Sequence, residues 1–368
     1  MTILFSIVVI VVVIAVLYMQ HAKFGAKLTG KRLEKVQSSP NYKDGSFVNR
    51  SYTPSLTEGY SMSKVMFEFL FHKGPRAKPK GVIPSVRTDL KNLAARDWLV
   101  WFGHSSYFFQ TDELKFLVDP VFSGNASPIP GSTKSFNGTD VYTVDDLPEI
   151  DYLLISHDHY DHLDYETIRK LKGKVKKVIC GFGVGAHLER WGFRADDIIE
   201  MDWDTDIEPQ KGVKLYGLTA RHFSGRTFKR DQTLWMSYLL QTPTRKIYIG
   251  GDSGYGEHFK EIGELYGPID LAIIENGQYN RAWKAIHCLP GENLQAALDL
   301  KAKRLMPVHS SKFDIALHDW DEPLKEMVKR NQKVGLPLVT PKIGETVNLN
   351  DSAQVFTEWW KNVDKNVQ

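Results

Sequence analysis

The nine residues "SHDHYDHLD" (Ser156–Asp164) decide the fold, because they place three histidines and three aspartates directly after the apolar run Tyr152–Ile155. A short apolar run of this kind is typical of a buried strand. In an extended segment, side chains i and i+2 point the same way, so His157 and His159 can bind one ion from a single edge. The stretch therefore predicts a metal site at the end of a strand.

The second half of the same stretch offers ligands for a second ion. If the backbone turns into a helix near Leu163, Asp161 and His162 swing toward an ion a few ångströms from the first. Neutral imidazoles suit zinc, iron or manganese, and a carboxylate adds a harder oxygen and negative charge. We therefore expect two divalent metal ions, with Zn2+ preferred and manganese or iron as alternatives.

Later strand ends offer the ligands that each ion still lacks. Five apolar runs end on a polar residue or on a glycine followed by one: ISHDHYDH, LTARH, IYIGGD, IIENG and LMPVH. Three of them contribute His222, Asp252 and His309. One histidine for each ion and one carboxylate between them would complete a dinuclear site, which can hold a hydroxide at neutral pH. This ligand set predicts a hydrolase.

From Asp97 onward, short β-rich runs alternate with helical patterns. This order predicts an α/β or α+β layered domain over residues 97–350, with residues 351–368 as a C-terminal tail. A chain of 368 residues with 42% hydrophobic content can bury a full core. The two cysteines, Cys180 and Cys288, imply no disulfide framework, so nitrogen and oxygen atoms must supply most metal ligands.

The N-terminal stretch Thr2–Met19 contains no charged residue. As a helix it would extend about 27 Å, close to the roughly 30 Å of bilayer hydrocarbon, and we predict a transmembrane anchor over residues 1–20. A cleaved signal peptide is the alternative, although no Lys or Arg precedes the apolar run and no A-x-A site follows it. The basic flank after the run predicts that this single-pass protein keeps its catalytic domain on the cytoplasmic side.

Charge is distributed unevenly along the chain. Residues 1–96 carry 15 Lys and Arg against 5 Asp and Glu, whereas the remainder carries 32 against 39. We predict that residues 21–96 form a basic linker whose apolar stretch Val65–Phe71 lies on an anionic membrane surface. An ordinary core helix with a solvated basic loop is the alternative. No nucleic-acid partner is expected, because the basic charge lies beside the apolar N terminus and not on the catalytic body.

The sequence resembles the metallo-β-lactamase-fold hydrolases over residues 98–347. Within them it is most similar to the N-acyl-phosphatidylethanolamine-hydrolysing phospholipase D group, with the ascorbate-6-phosphate lactonase-like proteins as near relatives. The motifs that carry the likeness are WFGHSSYFFQ, FLVDPVFSGNASP, LPEIDYLLISHDHYDHLDYETI, GGDSGYGEHFKEIGELYGPIDLAIIENGQY and PVH. The resemblance implies an αββα sandwich with the metals at one edge.

The resemblance also implies roles for individual residues. The implied metal ligands are His157, His159 and His222 for the first ion, Asp161, His162 and His309 for the second, and Asp252 between them. Asp119 in the "VDP" turn would orient a ligand histidine. His287 matches a histidine that touches the substrate phosphate in the phospholipase group, where a glutamine stands in place of Ile286. Tyr160 and Tyr165 would wall the cleft, or alternatively pack around the metal loop.

The remaining histidines are expected to have other roles. His104 in "GHSS" would support a ligand or be structural. The histidines in helical or linker contexts, without metal-site partners, are expected to be structural: His21, His72, His187, His258 and His318.

These features together predict a membrane-anchored dinuclear hydrolase. It would cleave N-acyl-phosphatidylethanolamine-type phospholipids by attack of a metal-bridging hydroxide on phosphorus, with Asp252, His287 and Asp119 as the residues on which turnover depends. The alternatives are a lactonase acting on a soluble sugar phosphate, a di-iron redox protein, and a membrane-anchored binding protein with structural metals. The sequence leaves the oligomeric state open.

Overall fold

The computed structural model describes residues 2–94 and 96–365, so residue 1 of the predicted anchor, residue 95 of the predicted linker and residues 366–368 of the predicted tail lie outside the described residues. The helices are α1 (Thr2–Met19), α2 (Gly30–Gln37), α3 (Met62–Phe71), α4 (Tyr165–Leu171), α5 (Val184–Arg190), α6 (His258–Tyr266), α7 (Glu292–Asp299) and α8 (Glu322–Asn331). The strands are β1 (Tyr42–Lys43), β2 (Ser46–Phe47), β3 (Trp98–Trp101), β4 (Tyr107–Thr111), β5 (Leu114–Val118), β6 (Ile150–Ile155), β7 (Val175–Gly181), β8 (Ile198–Met201), β9 (Thr205–Gln210), β10 (Val213–Leu218), β11 (Ser237–Gln241), β12 (Lys246–Ile249), β13 (Leu271–Glu275), β14 (Leu305–Val308) and β15 (Thr346–Asn348).

Two mixed sheets form the centre of the fold. The first has the strand order β15-β3-β4-β5-β6-β7-β8, and its strands from β5 to β8 are parallel. The second has the order β14-β13-β12-β11-β10-β9, and β12, β13 and β14 are parallel. Because parallel neighbours end at the same edge of a sheet, residues that follow these strands can gather there although they are far apart in sequence.

Alternation of side chains along each strand explains the layers. In β6, Leu154 faces the second sheet and belongs to the same core cluster as Leu240 of β11. Its neighbour Leu153 faces the opposite way and clusters with Ile168 of α4 and Leu188 of α5. The first sheet is therefore covered by the second sheet on one face and by helices on the other.

The outer face of the second sheet is covered in the same way. Tyr248 of β12 clusters with Phe259 of α6, Leu294 of α7 and Met327 of α8. Each of these side chains is at most 3% exposed. The layers follow the order helix, sheet, sheet, helix, and the predicted αββα sandwich is confirmed.

The predicted transmembrane anchor is wrong. Among residues 2–94 and 96–365, no helix has both the length and the apolar character needed to cross a bilayer. The 18 residues of α1 rise only about 27 Å, less than the roughly 30 Å of hydrocarbon, and the chain turns directly afterwards, where the N–H of His21 donates to the carbonyl of Tyr18. The single-pass topology with a cytoplasmic catalytic domain, which depended on that anchor, is corrected for the same reason.

Residues 20–94, here called the N-terminal arm, pack along the catalytic domain. The guanidinium of Arg32 lies 2.6 Å from Glu189 and 2.5 Å from Glu200. The ammonium of Lys73 lies 2.7 Å from Asp314. These basic side chains of the arm are therefore neutralised by acidic side chains of the body, and the uneven charge along the sequence is partly balanced within the chain.

Candidate metal centre

The segment 156–164, here called the metal loop, connects β6 to α4. His157 and His159 leave the strand together, with Nε2 of the first 2.9 Å from Nδ1 of the second. The N–H of Leu163 then donates to the carbonyl of His159 at 2.8 Å and closes a turn. Asp164 ends the loop as the N-cap of α4, where its side chain accepts from the second N–H of the helix. The loop therefore changes direction between its two pairs of predicted ligands.

The first cluster contains His157, His159 and His222, whose ring nitrogens lie within 4.8 Å of one another. His222 follows β10, and its Nδ1 donates to the carbonyl of Ile286 at 2.9 Å, which leaves Nε2 facing the other rings. Burial lowers the pKa of His157 and of His222 well below the usual value, so these rings are neutral. A neutral imidazole is the form that binds a metal ion.

The second cluster contains Asp161, His162 and His309 together with His104, again with ligand atoms within 4.8 Å. Nε2 of His104 lies 2.9 Å from Oδ2 of Asp161. The three residues that the sequence assigned to the second ion are thus brought together. His104, expected to support a ligand or to be structural, lies in direct contact with one of them.

The carboxylate of Asp252 lies between the two clusters. Its Oδ2 is 3.2 Å from Nε2 of His162, and 3.8 Å from Nε2 of His157 and of His222. Its Oδ1 is 3.2 Å from Nδ1 of His309. One carboxylate therefore reaches both groups of ligands, which is the position predicted for a bridging ligand.

Backbone conformation at the strand ends makes this approach possible. Gly251 has φ +58°, and a Cβ there would lie 2.8 Å from Cβ of Ser156 and 2.9 Å from the carbonyl of Met236. Only glycine lets the end of β12 come this close to the metal loop. Asp119 (φ 41°) and His309 (φ 66°) also adopt the left-handed region, a costly conformation that concentrates at functional sites.

Asp119 contacts His162, one of the histidines that the resemblance implies as metal ligands. Its Oδ2 accepts from Nδ1 of His162 at 2.8 Å, and its Oδ1 accepts from the N–H of Ser156 at 2.8 Å. This bond fixes the proton on Nδ1 and directs Nε2 of His162 into the cluster.

Two buried atoms at the centre test whether metal ions fit this site. Among residues 2–94 and 96–365, Nε2 of His162 and Oδ1 of Asp252 have no hydrogen-bond partner, which is costly for buried polar atoms. Burial lowers the pKa of His162, but the carboxylates of Asp252 and Asp161 outweigh it and raise that pKa well above the usual value. The site thus attracts positive charge strongly, and its imidazoles and carboxylates suit divalent zinc, manganese or iron.

His287 lies at the same edge, and it has a partner that the sequence did not identify. Its ring centroid is 5.0 Å from that of His222 and 5.3 Å from that of His309. Its Nδ1 is 2.6 Å from Oε2 of Glu275, the last residue of β13. Burial raises the pKa of Glu275; it would by itself lower that of His287, but the facing carboxylate raises it. The only signal for Glu275 in the sequence was its place at the end of the apolar run in IIENG.

The N-terminal arm also reaches the edge of the sandwich that carries the two ligand clusters, here called the metal edge. The side-chain amide of Asn49 donates to the carbonyl of His222 at 2.7 Å and accepts from its N–H at 3.2 Å. His187 accepts the N–H of Ala26 at Nδ1, at 2.8 Å, and its Nε2 lies 3.2 Å from Asp158 in the metal loop. Asn49 falls within the linker predicted over residues 21–96, and no local pattern could indicate its contacts, because both are to a residue 173 positions away.

Tyr160 and Tyr165 pack around the metal loop and line a cavity. The hydroxyl of Tyr160 donates to the carbonyl of Arg226 at 2.6 Å, and its ring lies 4.1 Å from that guanidinium. The ring of Tyr165 contacts that of Trp191 at 5.3 Å. Both tyrosines border a cavity of about 560 Å³ that Lys23 also lines. A second cavity, of about 380 Å³, reaches His222 itself, and neither tyrosine lines it.

Imidazoles and carboxylates gathered at one edge of an αββα sandwich define a metal-dependent hydrolase fold. A family model described as the β-lactamase superfamily domain matches residues 115–310, and the chain belongs to this superfamily. The expected membership is confirmed.

The chain is also similar to individual proteins and to a solved structure. An uncharacterized protein of Mycobacterium tuberculosis (strain H37Rv) is 34% identical over 330 residues, 88% of each chain. The N-acyl-phosphatidylethanolamine-hydrolyzing phospholipase D 1 of Caenorhabditis elegans is 26% identical over 335 residues, 83% of this chain and 91% of that protein. The structure of Igni18, a metallo hydrolase from Ignicoccus hospitalis, shares the fold with a TM-score of 0.53 and 20% identity, over 68% of this chain and 97% of the other.

Proposed function

We propose that this metal-dependent hydrolase is a dinuclear phosphodiesterase that cleaves N-acyl-phosphatidylethanolamine-type phospholipids at the phospholipase D position. The observation that carries the proposal is the carboxylate of Asp252, which lies within 3.8 Å of ligand nitrogens from both clusters. Two metals held in this way are suited to displacement at phosphorus. The name of the Caenorhabditis elegans relative supports the choice of substrate.

The residues divide into groups with different roles. His157, His159 and His222 would hold one ion, Asp161, His162 and His309 the other, and Asp252 both. When bound, the two ions would activate water and neutralise charge on the phosphoryl oxygens. Asp119 keeps Nε2 of His162 directed at its ion. Zn2+ is the expected metal, with manganese or iron as alternatives that the same ligands accept.

His287 would bind the substrate phosphate. Its Nδ1 is occupied by Glu275, so Nε2 is the atom that can donate to a phosphoryl oxygen. Tyr160 and Tyr165 border the cavity of about 560 Å³, where they would contact the rest of the headgroup.

An anionic phospholipid surface is the proposed partner of α3. Five large apolar side chains on this helix are more than half exposed: Met62 (52%), Met66 (51%), Phe67 (53%), Leu70 (62%) and Phe71 (70%). Lys64 is exposed on the same helix, and apolar side chains beside a lysine are typical of segments that lie on lipid headgroups. A helix that lies on a membrane surface does not have to be long enough to cross the bilayer.

The test is a hydrolysis assay on vesicles that contain N-acyl-phosphatidylethanolamine. We expect phosphatidic acid and an N-acylethanolamine as products, loss of activity with chelator, and recovery when zinc, manganese or iron is restored. Asp252→Asn should abolish turnover while the circular dichroism spectrum is unchanged. Full activity of Asp252→Asn, or hydrolysis of soluble lactones without any hydrolysis of the phospholipid, would contradict the proposal.

A further inference from the structure

Lys312 is buried in the turn after β14, and no role given so far uses it. Its side chain is 1% exposed, and within residues 2–94 and 96–365 it is the one buried lysine. It follows the predicted ligand His309 by three residues. Burying an ammonium group is costly unless hydrogen bonds and an opposite charge compensate for it, so this position needs an explanation.

The ammonium group of Lys312 connects two other parts of the chain. Its Nζ donates to the carbonyl of Phe102 at 3.2 Å and to that of Val121 at 3.0 Å. Phe102 directly follows β3, and Val121 lies three residues after β5. A carboxylate oxygen of Asp140 lies 3.4 Å from the same nitrogen and compensates its charge. One side chain therefore joins the turns that follow three different strands.

These turns, here called the strand-end turns, comprise residues 102–106, 119–121 and 309–312. They also bind one another through their backbones. The N–H of His309 donates to the carbonyl of His104 at 3.0 Å, and the N–H of His104 donates to the carbonyl of Ser310 at 3.0 Å. Lys312 therefore adds a third connection, to the turn after β5, which these two bonds do not reach.

Each strand-end turn contributes to the second ligand cluster. His309 is itself a predicted ligand of the second ion. Asp119 accepts from Nδ1 of the ligand His162, and Nε2 of His104 lies 2.9 Å from the ligand Asp161. The relative position of the three turns thus determines where the ligands of the second ion lie.

The backbone of the strand-end turns is strained. Four residues other than glycine adopt the left-handed region in them: His104 (φ 52°), Asp119 (φ 41°), His309 (φ 66°) and Ser311 (φ 67°). Such conformations are costly and persist only where the surrounding structure imposes them. The side chain of Lys312 also passes close to Gly103, where an added Cβ would lie 3.1 Å from its Cδ. The bonds of Lys312 are thus placed to impose this geometry.

The first ligand cluster is held by other segments. His157 and His159 belong to the metal loop, and the backbone of His222 is bound by Asn49 of the arm. Within residues 2–94 and 96–365, no hydrogen bond joins Lys312 to the metal loop, to the turn of His222 or to the arm. Loss of the lysine should therefore affect the two clusters unequally.

We infer that Lys312 is a positioning residue that holds the strand-end turns in the geometry needed to bind the second ion, whereas the first ion binds without its help. The inference rests on the two-ion site of the proposed function. Lys312 acts through its N–H donors and touches neither substrate nor ion. Removing these donors should weaken one metal site selectively, which a general loss of stability would not do.

The test is a metal titration of two variants. Lys312→Met keeps an unbranched side chain and removes the donors. Metal-free protein is titrated with Zn2+ in competition with a chromogenic chelator. Wild type should bind two equivalents, whereas Lys312→Met should bind one as in wild type and the other roughly 10–100-fold more weakly. Asp161→Asn, which alters a predicted ligand of the second ion, should weaken the same equivalent. Loaded with one equivalent of Co2+, both variants should therefore give the same visible absorption spectrum.

Lys174→Met is the matched control. Lys174 also donates to two backbone carbonyls, those of Val144 at 2.8 Å and Leu147 at 3.1 Å. It directly precedes β7, beside the first residue of β6, and so lies at the opposite end of β6 from the metal loop. Both lysine variants should lower the melting temperature of the metal-free protein. Lys174→Met should nevertheless bind both zinc equivalents with wild-type affinity.

Each other outcome has a defined meaning. Wild-type affinity for both equivalents in Lys312→Met, or an equal weakening of both, would overturn the inference. If Lys312→Met does not fold, Lys312→Gln, which retains an amide donor, takes its place. Failure of both variants to fold would make Lys312 a residue of the core alone and would also overturn the inference.

The wild-type protein separates this inference from the proposed function. A wild type that binds a single equivalent of metal would overturn both. A wild type that binds two equivalents but does not hydrolyse the phospholipid would contradict the proposed substrate. The titration of Lys312→Met would still decide whether this lysine positions the second site.

Discussion

The metal edge and the N-terminal arm treat their charged groups in opposite ways. At the metal edge, Nε2 of His162 and Oδ1 of Asp252 are buried without a hydrogen-bond partner in the described part of the chain. In the arm, Arg32 and Lys73 are partly exposed, and each is paired with a carboxylate of the body. The edge gathers ligand atoms that remain available to ions, whereas the arm uses its charges to bind the chain itself. Variants of the two regions should therefore fail in different ways.

The largest effect is expected from removing a metal ligand. His159→Gln should take away one ligand of the first cluster and lower turnover at least about a hundredfold, the upper range for disturbing a ligand's surroundings. His159 is less buried than the other rings of its cluster, so the fold should survive. Elemental analysis, kcat and the melting temperature would be measured together. Wild-type metal content with wild-type kcat would show that His159 is not a ligand.

A smaller loss is expected when a ligand keeps its place but loses its support. Asp119→Asn leaves a residue type that tolerates the left-handed conformation at this position, but it weakens the bond that fixes Nδ1 of His162. We expect metal affinity or activity to fall roughly 10–100-fold. Competition with a chromogenic chelator measures the affinity. An unchanged metal affinity and rate would mean that Asp119 stabilises only the backbone and does not support His162 as a ligand.

The junction between the two regions should affect stability more than chemistry. His187 connects the backbone of Ala26 in the arm to the buried carboxylate of Asp158 in the metal loop. In His187→Ala that carboxylate loses a partner, and we expect the free energy of unfolding to fall by about 3 kcal/mol. Urea denaturation monitored by tryptophan fluorescence measures it. A change below about 0.5 kcal/mol would show that the arm does not brace the loop through this residue.

The smallest effect is expected within the arm itself. Arg32→Met should lower the free energy of unfolding by about 1–3 kcal/mol, because it removes a charged hydrogen bond to Glu200, whose side chain is 3% exposed. Lys31→Met is the matched control, since Lys31 is exposed and should cost almost nothing. Both variants should keep wild-type kcat. Equal stability of the two variants would mean that the ion pair between Arg32 and Glu200 contributes nothing to the free energy of unfolding.

The sequence separation between contacting residues explains which parts of these two regions could be predicted and which could not. The metal loop directly follows β6, and His309 directly follows β14, so a local pattern of apolar run and polar residue located them. Arg32 pairs with a residue 168 positions away and Lys73 with one 241 positions away. No local pattern specifies such partners. Because the sequence shows no partner for these charges, it favoured the prediction of an external anionic surface. In the fold, both side chains are paired with carboxylates of the catalytic domain.

The anchor prediction was wrong and the contact of Glu275 was missed, each for a physical reason. The uncharged composition of Thr2–Met19 and a helical length near the bilayer thickness suggested a membrane span, but the helix ends at Met19 and does not have the length and apolar character needed to cross a bilayer. Glu275 is one carboxylate at the end of one apolar run, as many are. Its role depends on His287, because a different loop brings Nδ1 of that ring to 2.6 Å from Oε2 of Glu275.

The central claim is that Asp252 lies between two metal ions that together allow phosphodiester hydrolysis. Elemental analysis of the purified protein, coupled to hydrolysis of the phospholipid before and after chelation, tests it most directly. The account predicts two equivalents of metal per chain, loss of activity as they are removed, and less metal with no turnover in Asp252→Asn. Turnover that persists without metal, or a fully active protein with one equivalent per chain, would contradict it.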